Sequence, residues 1–384
     1  MKTILVLLFI SIFLFNPEFT EAQNHSVFHN NTVWEFESSI KYDALCLLNS
    51  LTGDPYYVKF YKNDYEEFKS KFTPEVKVAL ENLKQIKEST GIILSAGLSL
   101  YYSACPDSTL QQLINTTQDL TILKSNFSQT VYYKDNEWAL FESIQKDMRA
   151  YFTFLKEAGF EEFWRENILP KVEKRIYELD ENITNNNLNM ITEQEKLLGY
   201  PLQNNRITVI VLYYAQPHGI KITGTKFITD VAYPIDVVVQ NAAHEMLHPP
   251  YDLNSNIPLK NALDKLKNDT FLMDKVLNHN PVYGYNNFEA YLEENCVRAL
   301  DQLVSENLGL SLGPKDRWLK SDEGMHVFAN ALYSEMKEEN YNQKNEIFSD
   351  FIIRIINDGR FESGTIKKRF DSIEPKKLSV IIKY

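Results

Sequence analysis

Cysteine is scarce in this chain: Cys46, Cys105 and Cys296 are the only three in 384 residues. They are too few and too scattered for a disulfide scaffold, leaving two readings, one bridge between Cys46 and Cys105 or three buried thiols. Long apolar runs are also lacking. The longest, Ile4 to Phe15, is about a dozen residues against the ~20 a spanning helix needs. Clustered Lys and Arg are absent and the net charge is -12, which excludes nucleic acid and anionic membrane surfaces as partners, since both need basic clusters to displace counterions. There is no GxSxG elbow, phosphate-binding loop or dinucleotide glycine fingerprint, so serine-hydrolase, nucleotide-hydrolase and dehydrogenase chemistry lack their anchors. No internal repeat is visible.

What is present begins with Met1-Lys2, the short apolar run and Thr20-Glu21-Ala22, the layout of a signal peptide cut after Ala22. Residues 1–22 are therefore expected to be removed, and the mature protein to be secreted or periplasmic with no membrane span. No cysteine follows the run until Cys46, so a lipid anchor at the cut is not expected. A 44% hydrophobic, 13% aromatic composition supports a globular protein.

Residues 23–199 read as a mainly helical region. Leu140, Ile144, Met148, Tyr151 and Leu155 recur at helical spacing and predict one helix over 137–156 with a single core face. Weaker patterns predict helices over 65–88 and 160–179, and the Asn-rich 182–189 reads as a loop. Near Tyr200 the pattern changes. Ile207 to Tyr214 is a β-branched and aromatic run of strand length, and 220–232, interrupted by Gly224, should pair beside it. Pro234 then opens a helix reaching His248, where Pro249 and Pro250 stop it. Further helices are expected near 259–277, 286–307 and 325–337, and a short strand at 378–384. The fold class expected is α+β, a helical first half followed at 200–384 by a small mixed sheet, a motif helix and a later acidic helix.

The chemistry concentrates in His244-Glu245-Met246-Leu247-His248. Two histidines four apart on a helix project to one side and can share a metal ion, while the intervening Glu245 can take a proton from water at the metal's open position. A catalytic zinc site needs a third protein ligand. Glu293 and Glu294 are the candidates: Glu294 shares a stripe with Tyr291, Val297 and Asp301, Glu293 one with Glu289, Val297 and Leu300, and periodicity does not choose. Arg298 is spaced to pair with Glu294, and Asp301 to orient a histidine. Asp252 is a second candidate for orientation. Tyr283 and Tyr285, in a Gly-containing loop before the acidic helix, are candidates to stabilise an oxyanion, with Tyr283 put first. His218, His279 and His326 read as loop or structural histidines.

This layout resembles the zincin metallopeptidases, more narrowly the gluzincins, in which HExxH is followed on a later helix by a Glu ligand. Glu294-Asn295-Cys296-Val297-Arg298-Ala299 also resembles the Glu-x-x-Val-Arg-Ala element of a set of exported bacterial zincin-like proteins. The resemblance covers about 207–307. It implies Zn2+ held by His244, His248 and Glu294, with Glu294 preferred to Glu293. It also implies a mixed sheet on the motif helix, an edge strand along a cleft and a helical part completing the site, but it does not supply a substrate; the partner expected from the hydrolytic chemistry is a peptide or protein substrate. Many gluzincins carry an acidic residue four positions after the Glu ligand; here that position is Arg298. The alternative is a non-catalytic zincin-like binding or structural protein that keeps its metal.

Overall fold

The computed structural model describes residues 28–373, apart from 107–108, 131, 254, 311–312 and 342–345. The signal segment 1–22 and the strand expected at 378–384 lie outside the described residues. The architecture is α+β. Helices dominate, and four strands, β1 (Val33–Glu37), β2 (Arg206–Leu212), β3 (Ile220–Lys221) and β4 (Lys226–Asp230), form one mixed sheet in the order β1-β2-β4-β3. β1, β2 and β4 run parallel, and β3 returns antiparallel at the edge through the turn containing Gly224.

β2 forms where the β-branched run predicts, and six of its seven residues are buried because it lies between β1 and β4 with both faces covered. β1 belongs to the stretch read as helical. Its five residues, with Glu35 and Glu37 on an edge, give too short an alternation to read, and its partner β2 lies some 170 positions on, with Trp34 opposite Ile207. A parallel pair needs a long crossover, which the helices between β1 and β2 provide.

Of the core face read at 140–155, Ile144, Met148, Tyr151 and Leu155 are buried and Leu140 is only half-buried, and the helix is two. Asp135–Ser143 and Gln145–Glu157 meet at Ile144, whose φ of -92° and ψ of 1° break the helical path. The region 65–88 is likewise divided, because Pro74 at the first helical position and Thr73 accepting from the Val76 amide start a new helix over Pro74–Thr90. The third segment is longer than read. It runs through a π turn at Trp164–Ile168 into Leu169–Asn186, the wider turn accommodating Pro170, which lacks an N–H and crowds the preceding turn. The Asn-rich stretch is thus mostly helix, and the chain leaves it only at Asn187, in the left-handed region at φ 48°. Near 259–277 two helices, Ile257–Asp264 and Thr270–Asn278, replace one, Asp269 capping the second by accepting from Leu272. The helices expected near 286–307 and 325–337 form over Phe288–Asn307 and Val327–Glu338.

Two buried aspartates pin the sheet to the N-terminal helices. Asp43 accepts from the backbone amides of Tyr213 (2.9 Å) and Tyr214 (3.0 Å) and from Trp164 Nε1 (2.7 Å). Asp230, at the end of β4, accepts from Ala215, Gln216 and Ala232 amides and from the Tyr61 hydroxyl. Together they fix the strand ends from which the motif helix departs. Cys46, Cys105 and Cys296 are all free and buried, so the Cys46–Cys105 bridge is not formed and the reading of three buried thiols holds. No helix among the described residues is long and apolar enough to cross a membrane.

Candidate metal centre

Pro234 precedes the motif helix, Ile235–Glu245, which buries Val238, Val239, Ala242 and Ala243. The regular helix ends at Glu245, earlier than the sequence reading placed it. Pro249 has no N–H to give the Glu245 carbonyl and restricts the backbone of His248, so the last turn tightens. The Leu247 amide reaches the His244 carbonyl at 3.1 Å and the His248 amide the Glu245 carbonyl at 3.4 Å, both across three residues. His248 still stands beside His244.

The partner helix, Phe288–Asn307, starts at Asn287, whose side chain accepts from the Ala290 amide, and is buried along most of its length. It delivers Glu294, fully buried, to the histidines. Glu294 Oε2 lies 3.4 Å from His244 Nε2 and 3.4 Å from His248 Nε2, and the two Nε2 atoms are 3.2 Å apart.

The other ring nitrogens decide what these three atoms are. His244 Nδ1 is 2.7 Å from Asp301 Oδ2, and His248 Nδ1 is 3.1 Å from Glu293 Oε1. A carboxylate on Nδ1 assigns the proton there and leaves Nε2 with its lone pair. With both imidazoles neutral, two such nitrogens and one carboxylate oxygen converge as three acceptors. The triangle favours a cation, either a metal ion or, in its absence, a proton on one imidazole. Tetrahedral zinc with bonds of ~2.0–2.1 Å places its ligands roughly 3.3 Å apart, and the triangle matches one face of that tetrahedron. His244, His248 and Glu294 form a group that could hold a metal ion, and its donor set of two imidazoles and a carboxylate suits zinc.

The electrostatics agree. Burial alone would lower the His244 pKa, yet the charge of Glu294 and the hydrogen bond that His244 donates to Asp301 lift it to about 10, so positive charge is favoured there. Burial would raise Glu294, yet His244 and Arg298 hold it well below the usual carboxylate range.

Each of the three side chains is braced. Asp301, fully buried on the acidic helix, holds His244 and is itself paired with Arg317. Glu293 does not join the triangle; it holds the far nitrogen of His248. Arg298 Nε donates to Glu294 Oε1 at 2.5 Å, and its Nη2 to Asp322 at 2.8 Å. Asp322 also meets His326 Nε2 at 2.8 Å. Asp322 and Glu323 are left-handed, at φ 47° and 53°, a costly state for non-glycine residues that the clamps on Asp322 oppose. Arg298 stands four positions after Glu294, and Asp301, three positions further, is the residue that meets His244 Nδ1. Asp252 accepts from Ser255 Oγ at 2.7 Å.

Tyr283 donates to Glu323 at 3.1 Å. Tyr285 is the tyrosine beside the triangle: burial, then the charge of Glu294, raises its pKa well above the usual value, with Glu245 contributing and Glu294 within hydrogen-bonding reach. Its φ of 57° is left-handed, and the adjacent Gly284 carbonyl is held by His279 Nε2 at 2.8 Å. The Glu245 carboxylate makes no hydrogen bond among the described residues, whereas its carbonyl accepts from Lys221 Nζ at 2.7 Å. His218 meets the Tyr57 hydroxyl at 2.9 Å. His218, His279 and His326 are thus held by protein partners.

Sequence reasoning did not find Arg317 or Lys221. Both act from other elements, and nothing in their local spacing points to the motif. No family model, curated protein or solved structure matches the chain.

Proposed function

We propose that the chain is an exported zinc-dependent hydrolase, a metallopeptidase whose metal is held by His244, His248 and Glu294. The observation that carries this reading is the triangle of 3.2, 3.4 and 3.4 Å formed by two imidazole nitrogens and one carboxylate oxygen, the size of one face of a tetrahedral zinc site. Three protein ligands leave a tetrahedral ion one position for water, the mark of a catalytic rather than a closed structural site. The His244 and His248 side chains keep 18% and 19% of their surface exposed, which supports access for substrate and counts against a buried structural metal.

Zinc, when bound, supplies Lewis-acid chemistry that brings the pKa of water near neutrality. Glu245, its carboxylate without a hydrogen bond among the described residues, accepts the proton of the attacking water and returns it to the leaving amine. Tyr285, rather than Tyr283, donates to the oxygen that gains charge in the transition state, since Glu294 is among the groups that raise its pKa. Asp301 and Glu293 hold the two imidazoles in the tautomer that offers Nε2. Peptide is favoured among amides because β3 is a sheet edge that lies against the motif helix, and an extended chain can pair with such an edge.

The test is Glu245→Gln, screened with a peptide library beside the parent protein. The expected result is one zinc per chain in both and a loss of turnover of at least ~100-fold in the variant, the scale of a positioned base. Turnover at the parent rate would remove Glu245 from the mechanism. A parent protein that binds zinc yet does not bind a hydroxamate would support the non-catalytic reading instead.

A further inference from the structure

Helix ends leave carbonyls without partners, and the motif helix ends in an unusual way. In a continuing helix the Glu245 carbonyl would receive the amide of residue 249, but Pro249 has none. The His248 amide reaches it only at 3.4 Å, and the neighbouring amides are used elsewhere, Met246 on Ala242 and Leu247 on His244. The close donor is Lys221 Nζ at 2.7 Å, from the edge strand β3.

Lys221 is itself held in place. Its backbone pairs with Phe227 of β4, and two residues earlier Gly219 presses on the motif helix so closely that a Cβ there would stand 2.9 Å from Asn241 Nδ2. Lys221 thus ties the edge strand to the C-terminal end of the motif helix, and Gly219, just before the strand, stands close to the Asn241 side chain one turn earlier. Pro249 leaves the Glu245 carbonyl with only the long bond from the His248 amide, and the side chain of Lys221 supplies the close donor that the proline lacks.

We propose that Lys221 is a positioning residue that fixes the Glu245–His248 turn through the Glu245 carbonyl, so that the sheet edge and the metal-binding motif move as one unit. The assignment rests on the reading of His244, His248 and Glu245 as a metal-dependent centre. It gives the edge strand a second task beside presenting backbone groups: displacement of β3 is transmitted to the base and to one ligand.

The experiment compares the full chain with Lys221→Met, which keeps the length of the side chain without a donor, and Lys221→Arg, which restores one. Lys221→Gln, too short to reach the carbonyl, replaces the Met variant if that fails to accumulate. Two readouts are taken: amide hydrogen exchange over 244–248 in the metal-free proteins, and zinc affinity by chelator competition. Loss of a charged hydrogen bond predicts exchange faster by roughly ten- to a hundredfold in this turn alone, and zinc bound more weakly by a similar factor. Lys221→Arg should recover both, which a role in bulk stability would not require. Wild-type exchange and affinity in Lys221→Met would overturn the assignment, as would an Arg variant as defective as the Met variant. If the parent chain takes up no zinc, the metal reading fails and the contrast in exchange alone still decides the role of Lys221.

Discussion

Exchanging Glu294 for Gln tests the centre most directly, because the substitution keeps the volume and removes only the charge and one acceptor. Glu294 uses its two oxygens differently: Oε1 meets Arg298 Nε at 2.5 Å, and Oε2 faces both histidines at 3.4 Å. Arg298 is donor-only, so a glutamine must turn its oxygen to the guanidinium and its NH2 toward the histidines. The third ligand atom is then gone. A residue that only supports a ligand typically costs 10–100-fold in metal affinity, so losing the ligand itself should cost more than about 100-fold, or about 2.7 kcal/mol. Glu293→Gln provides the contrast. Glu293 is 34% exposed and accepts from His248 Nδ1 at 3.1 Å, a bond that an amide oxygen can also accept, so its loss should stay within about tenfold. The assay is competition with a chromophoric chelator, with circular dichroism of the metal-free proteins to verify folding. A Glu294→Gln protein that binds zinc like the parent, or a Glu293→Gln protein that loses more, would refute the assignment of the triangle.

Zinc uptake should release about one proton per chain at neutral pH, because metal-free His244, lifted to about 10, carries a proton that a ligand cannot keep. The sign follows: only the metal-free state holds this proton, so affinity rises about tenfold per pH unit from neutrality toward that value, and calorimetry in two buffers of different ionisation enthalpy measures the proton count. In the metal-free protein, the stability contributed by protonated His244 is fully present below ~6.5 and is lost as pH rises through about 10. Asp43→Asn should lower stability by roughly 1–3 kcal/mol in denaturant unfolding, since all three of its partners are N–H donors and the amide NH2 would face one of them. An unchanged midpoint would remove Asp43 as the pin between the sheet and the N-terminal helices.

The sequence by itself determined the parts of this protein that depend on local spacing. The β-branched run of β2, the helix opened by Pro234 and the pairing of His244 with His248 are legible because a strand, a helix start and a shared helix face are each written within a few residues. The core face of Ile144, Met148, Tyr151 and Leu155 is legible for the same reason, while the break at Ile144 is not, since a periodic pattern continues across a change in ψ. Tertiary structure decided whatever depends on distant pairing. β1 is a strand because β2 lies beside it, and five residues with two glutamates carry no such message alone. Glu293 and Glu294 are equivalent by periodicity, and only the packing of the acidic helix against the motif helix sends one to the two Nε2 atoms and the other to Nδ1 of His248. Tyr283 and Tyr285 share a loop, and their spacing does not say that Tyr285 meets Glu294 while Tyr283 meets Glu323. Arg317 and Lys221 reach the centre from separate elements. The physical division is one of range: periodicity and capping fix which residues share a face, whereas the partner each charged atom meets is fixed by how the faces pack.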